Sequence, residues 1–468
     1  MTSQLHQLHH EARITVPSPK HHEYEFLPEG STDLNQSYQS HQLISSSPNV
    51  SAAQESVNTG KTLFRSALLL SLLYPTNRTF PQTIYQPVPA RDTTIPPSTI
   101  IKMANLGVFA GVTTLVVLVL TYGVPLFLKE YFPWQSLYKQ RHGRPTVTTK
   151  SYKGRTALIT GANGAFGSRA AKIFAERDVE TLVLVDVRDC SGVKEEIEKE
   201  LGEAGKPVPK ILVWQADLMT FKGCQELGAK AKDLEHLDHV LMTAGILAFN
   251  RRESPEGWET SIQVNFLSGA LLSLLFLPLL KSSPSNPSPP VLTFVTTFGI
   301  YPSSFTMGVP KKGSYLKKLS NNKEGMEQAH QYGRSKGLLL YWARELAARV
   351  SAIQATEKLP RKVTINSADP GSAWTPLTNP NQAKLIPRLI MNFGARDPQI
   401  CATALVNGVS ATEDAHGKIM QDFDTADYPP FMVRKSGRAA QARVWEETRE
   451  ELEAKVPEVK AIFDMLDQ

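Results

Sequence analysis

Residues 156–173 read TALITGANGAFGSRAAKI, and within this stretch an apolar run gives way to glycines and then to helical spacing. The run 157–159 is typical of a strand buried on both faces of a parallel sheet. The turn after it contains three glycines, Gly161, Gly164 and Gly167. Glycine suits a backbone that bends sharply or approaches a ligand closely. A helix predicted from about Ala165 points its free N–H groups at this turn, where a pyrophosphate commonly binds. The pattern favours a dinucleotide-binding turn, with a glycine-rich loop that binds no ligand as the alternative.

A second strand with an acid at its end follows about twenty residues later. Residues 181–186 read TLVLVD, and Asp186 occupies the position that binds the hydroxyls of an adenosine ribose. A carboxylate there repels a 2′-phosphate, so we predict NAD as the cofactor. NADP stays the alternative because Arg188 is placed to pair with a 2′-phosphate. The alternative for Asp186 itself is an ordinary turn or N-cap acid.

Composition excludes several classes of protein. The chain has 468 residues and a net charge of +6, with 51 Lys and Arg dispersed among 45 acids. No basic stripe indicates a nucleic-acid partner. The three cysteines, Cys190, Cys224 and Cys401, lie far apart. Their spacing predicts neither a disulfide framework nor a metal site.

The first 102 residues are rich in Ser, Pro, Gln and Thr. They contain six of the eleven histidines, from His6 to His41, without a regular spacing. We predict disorder for 1–102, with metal binding by the histidines as a minor alternative. Because Met103 directly precedes the first ordered pattern, we hypothesise that it is the physiological start, so that 1–102 would be absent from the mature protein.

Residues Leu106–Leu128 contain no charge over 23 positions, which is long enough to cross a bilayer. Three aromatic residues suited to the membrane interface follow, Tyr131, Phe132 and Trp134. We predict a transmembrane anchor over 103–135 and a linker over 136–153, with a signal peptide as the alternative. Basic residues are more frequent after the anchor, at Lys129, Lys139, Arg141, Arg144 and Lys150, than before it, at Arg91 and Lys102. This asymmetry predicts a cytosolic C-terminal domain.

From Gly154 the pattern alternates strands and helices, which predicts an α/β domain with a doubly wound parallel sheet, or Rossmann fold, over 154–440. Further strands are predicted at 210–215, 238–243, 291–297 and 362–367, and helices at 192–204, 220–235, 258–281 and 333–351. Residues 298–331 are predicted to form a long loop. A helical segment is predicted over 441–468.

Tyr332 and Lys336 are four residues apart on a predicted helix and therefore share a face. Among thirteen tyrosines, Tyr332 alone has a lysine at this spacing. An ammonium nearby favours the phenolate, so Lys336 is predicted to lower the pKa of Tyr332 and make it a usable acid or base. An accidental surface pair is the alternative.

Several motifs in order make residues 154 to about 425 resemble the short-chain dehydrogenase/reductase family. The resemblance implies a catalytic group of Tyr332, Lys336, Thr297 and Asn265. It assigns cofactor contacts to Gly161, Asn163, Gly164, Phe166, Gly167, Asp186, Asp217, Leu218, Ala244, Gly245, Tyr332, Lys336, Pro370, Gly371 and Thr375. Three features depart from the family pattern. Gly164 gives the spacing TGxxGxxG, Thr243 stands in place of Asn, and Thr297 stands in place of the catalytic Ser.

The anchor, the segments EGWETSIQVN and YGRSK, and an amphipathic stretch at 436–463 resemble the membrane-associated branch related to retinol dehydrogenases, with fungal relatives. This resemblance implies a lipophilic alcohol, aldehyde or ketone as substrate. It also implies a single-pass protein of the endoplasmic reticulum, and it allows a homodimer. Two alternatives stay open: a membrane-tethered scaffold that binds nucleotide without catalysis, and an epimerase or dehydratase of nucleotide sugars.

Overall fold

The computed structural model describes residues 97–125, 134–248, 250–283, 288–321, 326–357, 363–378 and 394–467. The predictions for residues 1–96, for Tyr131 and Phe132 and for the end of the anchor at 126–128 lie outside these residues. Residues 379–393, which follow the last predicted strand, also lie outside the described residues.

Eight strands form one sheet in the order β3-β2-β1-β4-β5-β6-β7-β8. The strands are β1 Thr156–Thr160, β2 Thr181–Asp186, β3 Lys210–Gln215, β4 His239–Met242, β5 Val291–Val295, β6 Thr364–Asp369, β7 Ile419–Gln421 and β8 Asp424–Ala426. All neighbours pair in parallel except β7 and β8, which are antiparallel. The predicted doubly wound parallel sheet is confirmed, and the order in which the chain adds strands reverses between β1 and β4.

The helices are α1 Pro97–Leu118, α2 Trp134–His142, α3 Gly167–Glu176, α4 Ser191–Glu203, α5 Phe221–Ala231, α6 Thr260–Ser282, α7 Ile300–Ser303, α8 Tyr315–Ser320, α9 Met326–Glu357, α10 Pro398–Val409, α11 Pro430–Val433, α12 Lys435–Lys455 and α13 Lys460–Leu466. A π-helical turn, Gln263–Leu267, lies within α6. Each predicted helix matches one of these, although α9 is longer at both ends than the predicted 333–351.

Two apolar clusters cover the two faces of the sheet. Alternate strand residues point to opposite faces, so Leu158 joins the cluster with α5, α6 and α9, while Ala157 joins the cluster with α3, α4 and α10. Both residues are fully buried. Burial on both faces explains why these strands have continuous apolar runs instead of alternating patterns.

The predictions for the end of β5 and for the segment after it need correction. The strand predicted over 291–297 ends at Val295, so Thr297 has left the sheet. The predicted loop at 298–331 contains α7, α8 and the start of α9. In α8, Tyr315 and Leu316 are fully buried, and the Tyr315 hydroxyl donates to the Met307 carbonyl at 2.6 Å. Packing against the domain therefore orders these short helices, whose length gives no periodic signal.

Helix α12 packs along α9. Trp342 of α9 stacks on Trp445 of α12 with ring centroids 4.6 Å apart, and Phe463 of α13 meets Trp445 edge-on at 5.4 Å. The predicted boundary between residues 440 and 441 falls inside α12. These contacts place the C-terminal helices on the outer side of the helix that carries Tyr332.

Helix α1 and the following π-helical turn, Val119–Gly123, contain most of the predicted anchor. All residues from 108 to 125 are exposed. Their apolar helical part, Val108–Gly123, is shorter than a typical membrane span. In the described part of the chain, α6 has the length and composition of a span, but 78% of its apolar window is buried in the domain. We therefore assign α6 to the core.

A buried ion pair holds the amino ends of the central strands. Arg155 Nη1 lies 3.0 Å from Asp238 Oδ1, and both side chains are almost fully buried. Asp238 also accepts bonds from the Thr156 amide at 2.9 Å and the Ser283 hydroxyl at 2.7 Å. The pair lies at the sheet edge opposite the glycine turn.

Replacing Asp238 with Ala leaves the Arg155 charge buried, so we expect a loss of about 3–5 kcal/mol in the free energy of unfolding. Denaturant titration measures this loss. Glu203→Ala is the control, because its partner Lys199 lies 3.9 Å away at the exposed surface and such pairs contribute little. Equal losses of unfolding free energy for the two substitutions would contradict a stabilising role of the buried ion pair.

Candidate active site

A cavity of about 430 Å³ opens at the carboxyl edge of the sheet, where the strand order reverses between β1 and β4. Its walls include most residues predicted to bind the cofactor: Gly161, Asn163, Gly164, Phe166, Gly167, Asp186, Asp217, Leu218, Ala244, Gly245 and Thr375. Ligands of open α/β sheets bind in this position.

The glycine turn lies in close contact with its neighbours. Gly161 has φ +70°, and a Cβ on it would lie 2.8 Å from the Cα of Ala244. A Cβ on Gly167 would overlap the carbonyl oxygen of Gly161. Gly164 accepts a bond from the Ser168 amide at 3.0 Å, which begins the first turn of α3. All three glycines line the cavity, and glycine at 161 and 167 is also needed for close packing.

Asp186 is held at the end of β2 by three donors. Its Oδ2 accepts from the Asn163 amide at 3.1 Å, and its Oδ1 accepts from the Arg188 amide at 3.1 Å and from Arg188 Nε at 3.3 Å. The Arg188 side chain is 64% exposed and also donates to the Asn163 carbonyl at 3.2 Å. The carboxylate is therefore fixed beside the cavity, and Arg188 is turned toward it.

Thr243 connects β1 to the end of β4. Its hydroxyl donates to the Thr160 carbonyl at 2.5 Å, and the Ala244 amide donates to the Thr160 hydroxyl at 3.3 Å. Threonine at this position thus binds the neighbouring strand directly, which keeps Ala244 and Gly245 against the glycine turn.

The π-helical turn in α6 carries Asn265. Asn265 Oδ1 accepts from the Ile246 amide at 2.7 Å, and its Nδ2 donates to the Ile246 carbonyl and the Ser335 hydroxyl, both at 2.9 Å. A Cβ on Gly245 would lie 3.2 Å from Asn265 Oδ1 and 3.5 Å from Lys336 Nζ. Three predicted site residues, Gly245, Asn265 and Lys336, therefore lie close together at one end of the cavity. Turns of π-helix are frequent at functional sites.

Lys336 is buried on α9, and its Nζ donates to the Val295 carbonyl at 2.9 Å. The same Nζ lies 6.0 Å from the ring centroid of Tyr332. Burial lowers the pKa of Lys336 to about 8. Burial, together with the negative charge of Asp369, raises the pKa of Tyr332 to about 12. The predicted lowering of the Tyr332 pKa is therefore wrong, because burial and the charge of Asp369 both disfavour the phenolate. Tyr332 is therefore a neutral phenol at neutral pH.

Thr297 lies just beyond β5, in a turn that packs against α9. Its Oγ1 accepts from the Gly299 amide at 3.1 Å, so its own proton stays available for another acceptor. Gly333, next to Tyr332, packs directly on Gly299, whose carbonyl oxygen would lie 2.5 Å from a Cβ at 333. The turn with Thr297 and the helix with Tyr332 are thus in direct contact.

The segment after β6 completes the cavity. Gly371 has φ +79°, which favours glycine, and its amide donates to Asp369 Oδ1 at 3.0 Å. Pro370 and Gly371, which were predicted to bind the cofactor, do not line the cavity, whereas Thr375, Pro376 and Leu377 do. The Pro370 carbonyl accepts a bond from Arg396 at 3.4 Å.

The residues present fit a nicotinamide dinucleotide. The N-terminus of α3, where Phe166 makes no side-chain cap bond, suits a pyrophosphate. Asp186 suits a ribose, and Asp217 also lines the cavity. Sequence reasoning missed further wall residues, namely Ala165, Val185, Val187, Ala216, Met219, Ile246, Val264, Pro376 and Leu377. Most of them adjoin a predicted residue, so proximity to the motifs was the available signal.

The chain is similar in sequence to known proteins. A family model described as short chain dehydrogenase matches residues 155–287. Short chain dehydrogenase atnD of Emericella nidulans is 30% identical over 281 residues, covering 59% of this chain and 86% of the relative. Short chain dehydrogenase sol3 of Alternaria solani is 33% identical over 232 residues, covering 49% and 75%. Among solved structures, a short chain dehydrogenase from Salmonella enterica covers 60% of this chain and 100% of its own, with 17% identity and a TM-score of 0.40.

The glycine turn, the sheet and the fungal relatives lead to one conclusion. The chain belongs to the short-chain dehydrogenase/reductase family and is an NAD(P)-dependent oxidoreductase.

Proposed function

We propose that this enzyme interconverts a lipophilic alcohol and its aldehyde or ketone at the edge of the cavity, beside Tyr332. The observation that carries the proposal is the contact between the turn with Thr297 and the helix with Tyr332 and Lys336, next to Gly245. Lys336 Nζ and Asn265 lie against Gly245, which lines the cavity. We propose that the phenol of Tyr332 and the hydroxyl of Thr297 face the same space.

A nicotinamide bound in this cavity supplies or accepts the hydride. Tyr332 donates its proton to the carbonyl oxygen during reduction, and Thr297 donates a hydrogen bond to the same oxygen. Lys336 binds the ribose of the cofactor and offsets negative charge that develops on the phenol. Asn265 holds Ile246 and Ser335 in place, and we assign it the positioning of a relay water.

An exposed apolar helix is the observation that supports a membrane anchor and a lipophilic substrate. Phe109, Leu120 and Tyr122 of the α1 region are 71%, 61% and 66% exposed. Apolar surface of this extent favours insertion into a bilayer over contact with water. We propose that this helix anchors the enzyme as a single-pass protein of the endoplasmic reticulum with the catalytic domain in the cytosol. Flotation of the full chain with phospholipid vesicles tests the anchor.

Replacing Tyr332 with Phe removes the proton donor and leaves the ring in place. We expect kcat for carbonyl reduction to fall about a hundredfold to ten-thousandfold, with NADH affinity unchanged. Tyr341→Phe is the matched control, because Tyr341 is a buried tyrosine of the same helix. Turnover that survives Tyr332→Phe would exclude Tyr332 as the acid.

The pH dependence of reduction follows from Lys336. Its pKa of about 8 means that the ammonium is present below this pH and is lost above it. Tyr332 stays protonated throughout, since its pKa is about 12. Because kcat/KM reports groups of the free enzyme, we expect it to decline above about pH 8. A value that stays constant through this range would show that the Lys336 charge is not required.

Cofactor choice depends on Asp186, and we propose a preference for NAD(H), with NADP(H) as the alternative. Asp186→Ala removes the repulsion of a 2′-phosphate, so we expect the affinity ratio of NADPH to NADH to rise about tenfold. Fluorescence titration measures both affinities. Asp189→Ala is the control, since it removes an exposed charge of the same loop that bonds Ser191 and does not line the cavity. Tighter binding of NADPH than NADH by the unchanged protein would refute the preference.

A further inference from the structure

Helix α2 precedes the region that the family model matches, yet it contacts the segment beside the nicotinamide end of the cavity. Its residue Gln140 is buried. Gln140 Nε2 donates to the carbonyls of Ser372 and Gly394 at 2.7 and 2.5 Å, and its Oε1 accepts from the Ser372 amide at 2.8 Å. One amide side chain thus connects two segments of the chain that follow β6.

Gly371 lies directly under this side chain. A Cβ on Gly371 would overlap Gln140 Oε1, so the glycine is needed for close packing as well as for its positive φ. Thr375, three residues beyond Ser372, lines the cavity. The backbone that leads from β6 to the cavity wall is therefore fixed by a residue of α2.

Arg396 holds the end of α2 in place. Its Nε donates to the Gln140 carbonyl at 3.1 Å, and its Nη2 donates to the Lys139 carbonyl. These carbonyls lie in the last turn of the helix, and the Lys139 carbonyl also accepts a bond from the Gly143 amide at 2.7 Å. Arg396 is itself paired with Asp422 at 2.6 Å and is buried. The position of Gln140 is thus determined by a buried ion pair.

A second connection runs from α2 to the end of β6. Gln421 Nε2 donates to the Ser136 hydroxyl at 2.6 Å and lies 3.2 Å from Asp369 Oδ2. Asp369 in turn accepts the Gly371 amide. Two independent sets of hydrogen bonds therefore join α2 to residues 369–372.

We propose that Gln140 is a positioning residue for the nicotinamide end of the cofactor, acting through Ser372 and Gly371 on Thr375. Helix α2 is then a component of the cofactor site. The inference rests on the proposed function, and it takes Thr375, to which the family resemblance assigns a cofactor contact, as the neighbour of the nicotinamide. It predicts an effect on that end of the dinucleotide and none on the adenosine end, which binds at Asp186 and Asp217.

The test compares NADH with ADP-ribose, which lacks only the nicotinamide, by calorimetric titration of the full chain. Gln140→Ala leaves half-buried backbone groups of Ser372 and Gly394 without this partner. We expect it to weaken NADH binding about tenfold and to leave ADP-ribose binding unchanged. Gln140→Glu keeps the size and the bond from the Ser372 amide but loses both donated bonds, so we expect the same selective loss.

The control is Tyr138→Ala on the same helix, because Tyr138 is 68% exposed and stacks on His142. It should leave both affinities unchanged. Equal losses for NADH and ADP-ribose in the Gln140 variants would overturn the proposal, and so would undiminished NADH binding. Unchanged protein that binds ADP-ribose but gains nothing from the nicotinamide would instead contradict the proposed place of that ring.

Discussion

The close contact between the turn after β1 and the end of β4 is the constraint on which the cavity depends. No side chain fits between Gly161 and Ala244, because a Cβ would lie 2.8 Å from backbone atoms. Thr243 holds the same two strands together through the Thr160 carbonyl. Since parallel strands end at one edge, this contact aligns the glycine turn, Asp186 and the π-helical turn around one space.

Desolvation determines the chemistry at the other end of that space. Tyr332 and Lys336 both lie in a buried setting that favours their neutral forms, and Asp369 adds to the effect on Tyr332. A neutral phenol suits protonation of a carbonyl oxygen, whereas oxidation of an alcohol needs a base. The buried phenol of Tyr332 therefore has the protonation state that the proposed reduction needs. Thr297 is the second hydroxyl of the proposed catalytic group, and its turn packs against α9.

Local signals explain what could be predicted from the sequence. The strands β1 and β2 were predictable because burial on both faces requires continuous apolar runs, and the glycine turn because its packing excludes a Cβ. Helices α7 and α8 were not predictable, since tertiary packing of residues such as Tyr315 orders them. Gln140 gave no signal, because its partners Ser372 and Gly394 lie 232 and 254 positions away. The pKa of Tyr332 was predicted from one neighbour, whereas the whole buried environment determines it.

Transfer of deuterium tests the central claim most directly. The enzyme is incubated with a panel of lipophilic aldehydes and ketones and with NADH deuterated on both positions of its reactive ring carbon. Mass spectrometry then follows the alcohol products. Hydride transfer at this site predicts an alcohol that carries one deuterium on the former carbonyl carbon. Unlabelled alcohol, or no alcohol from any member of the panel despite measurable NADH binding, would contradict the account.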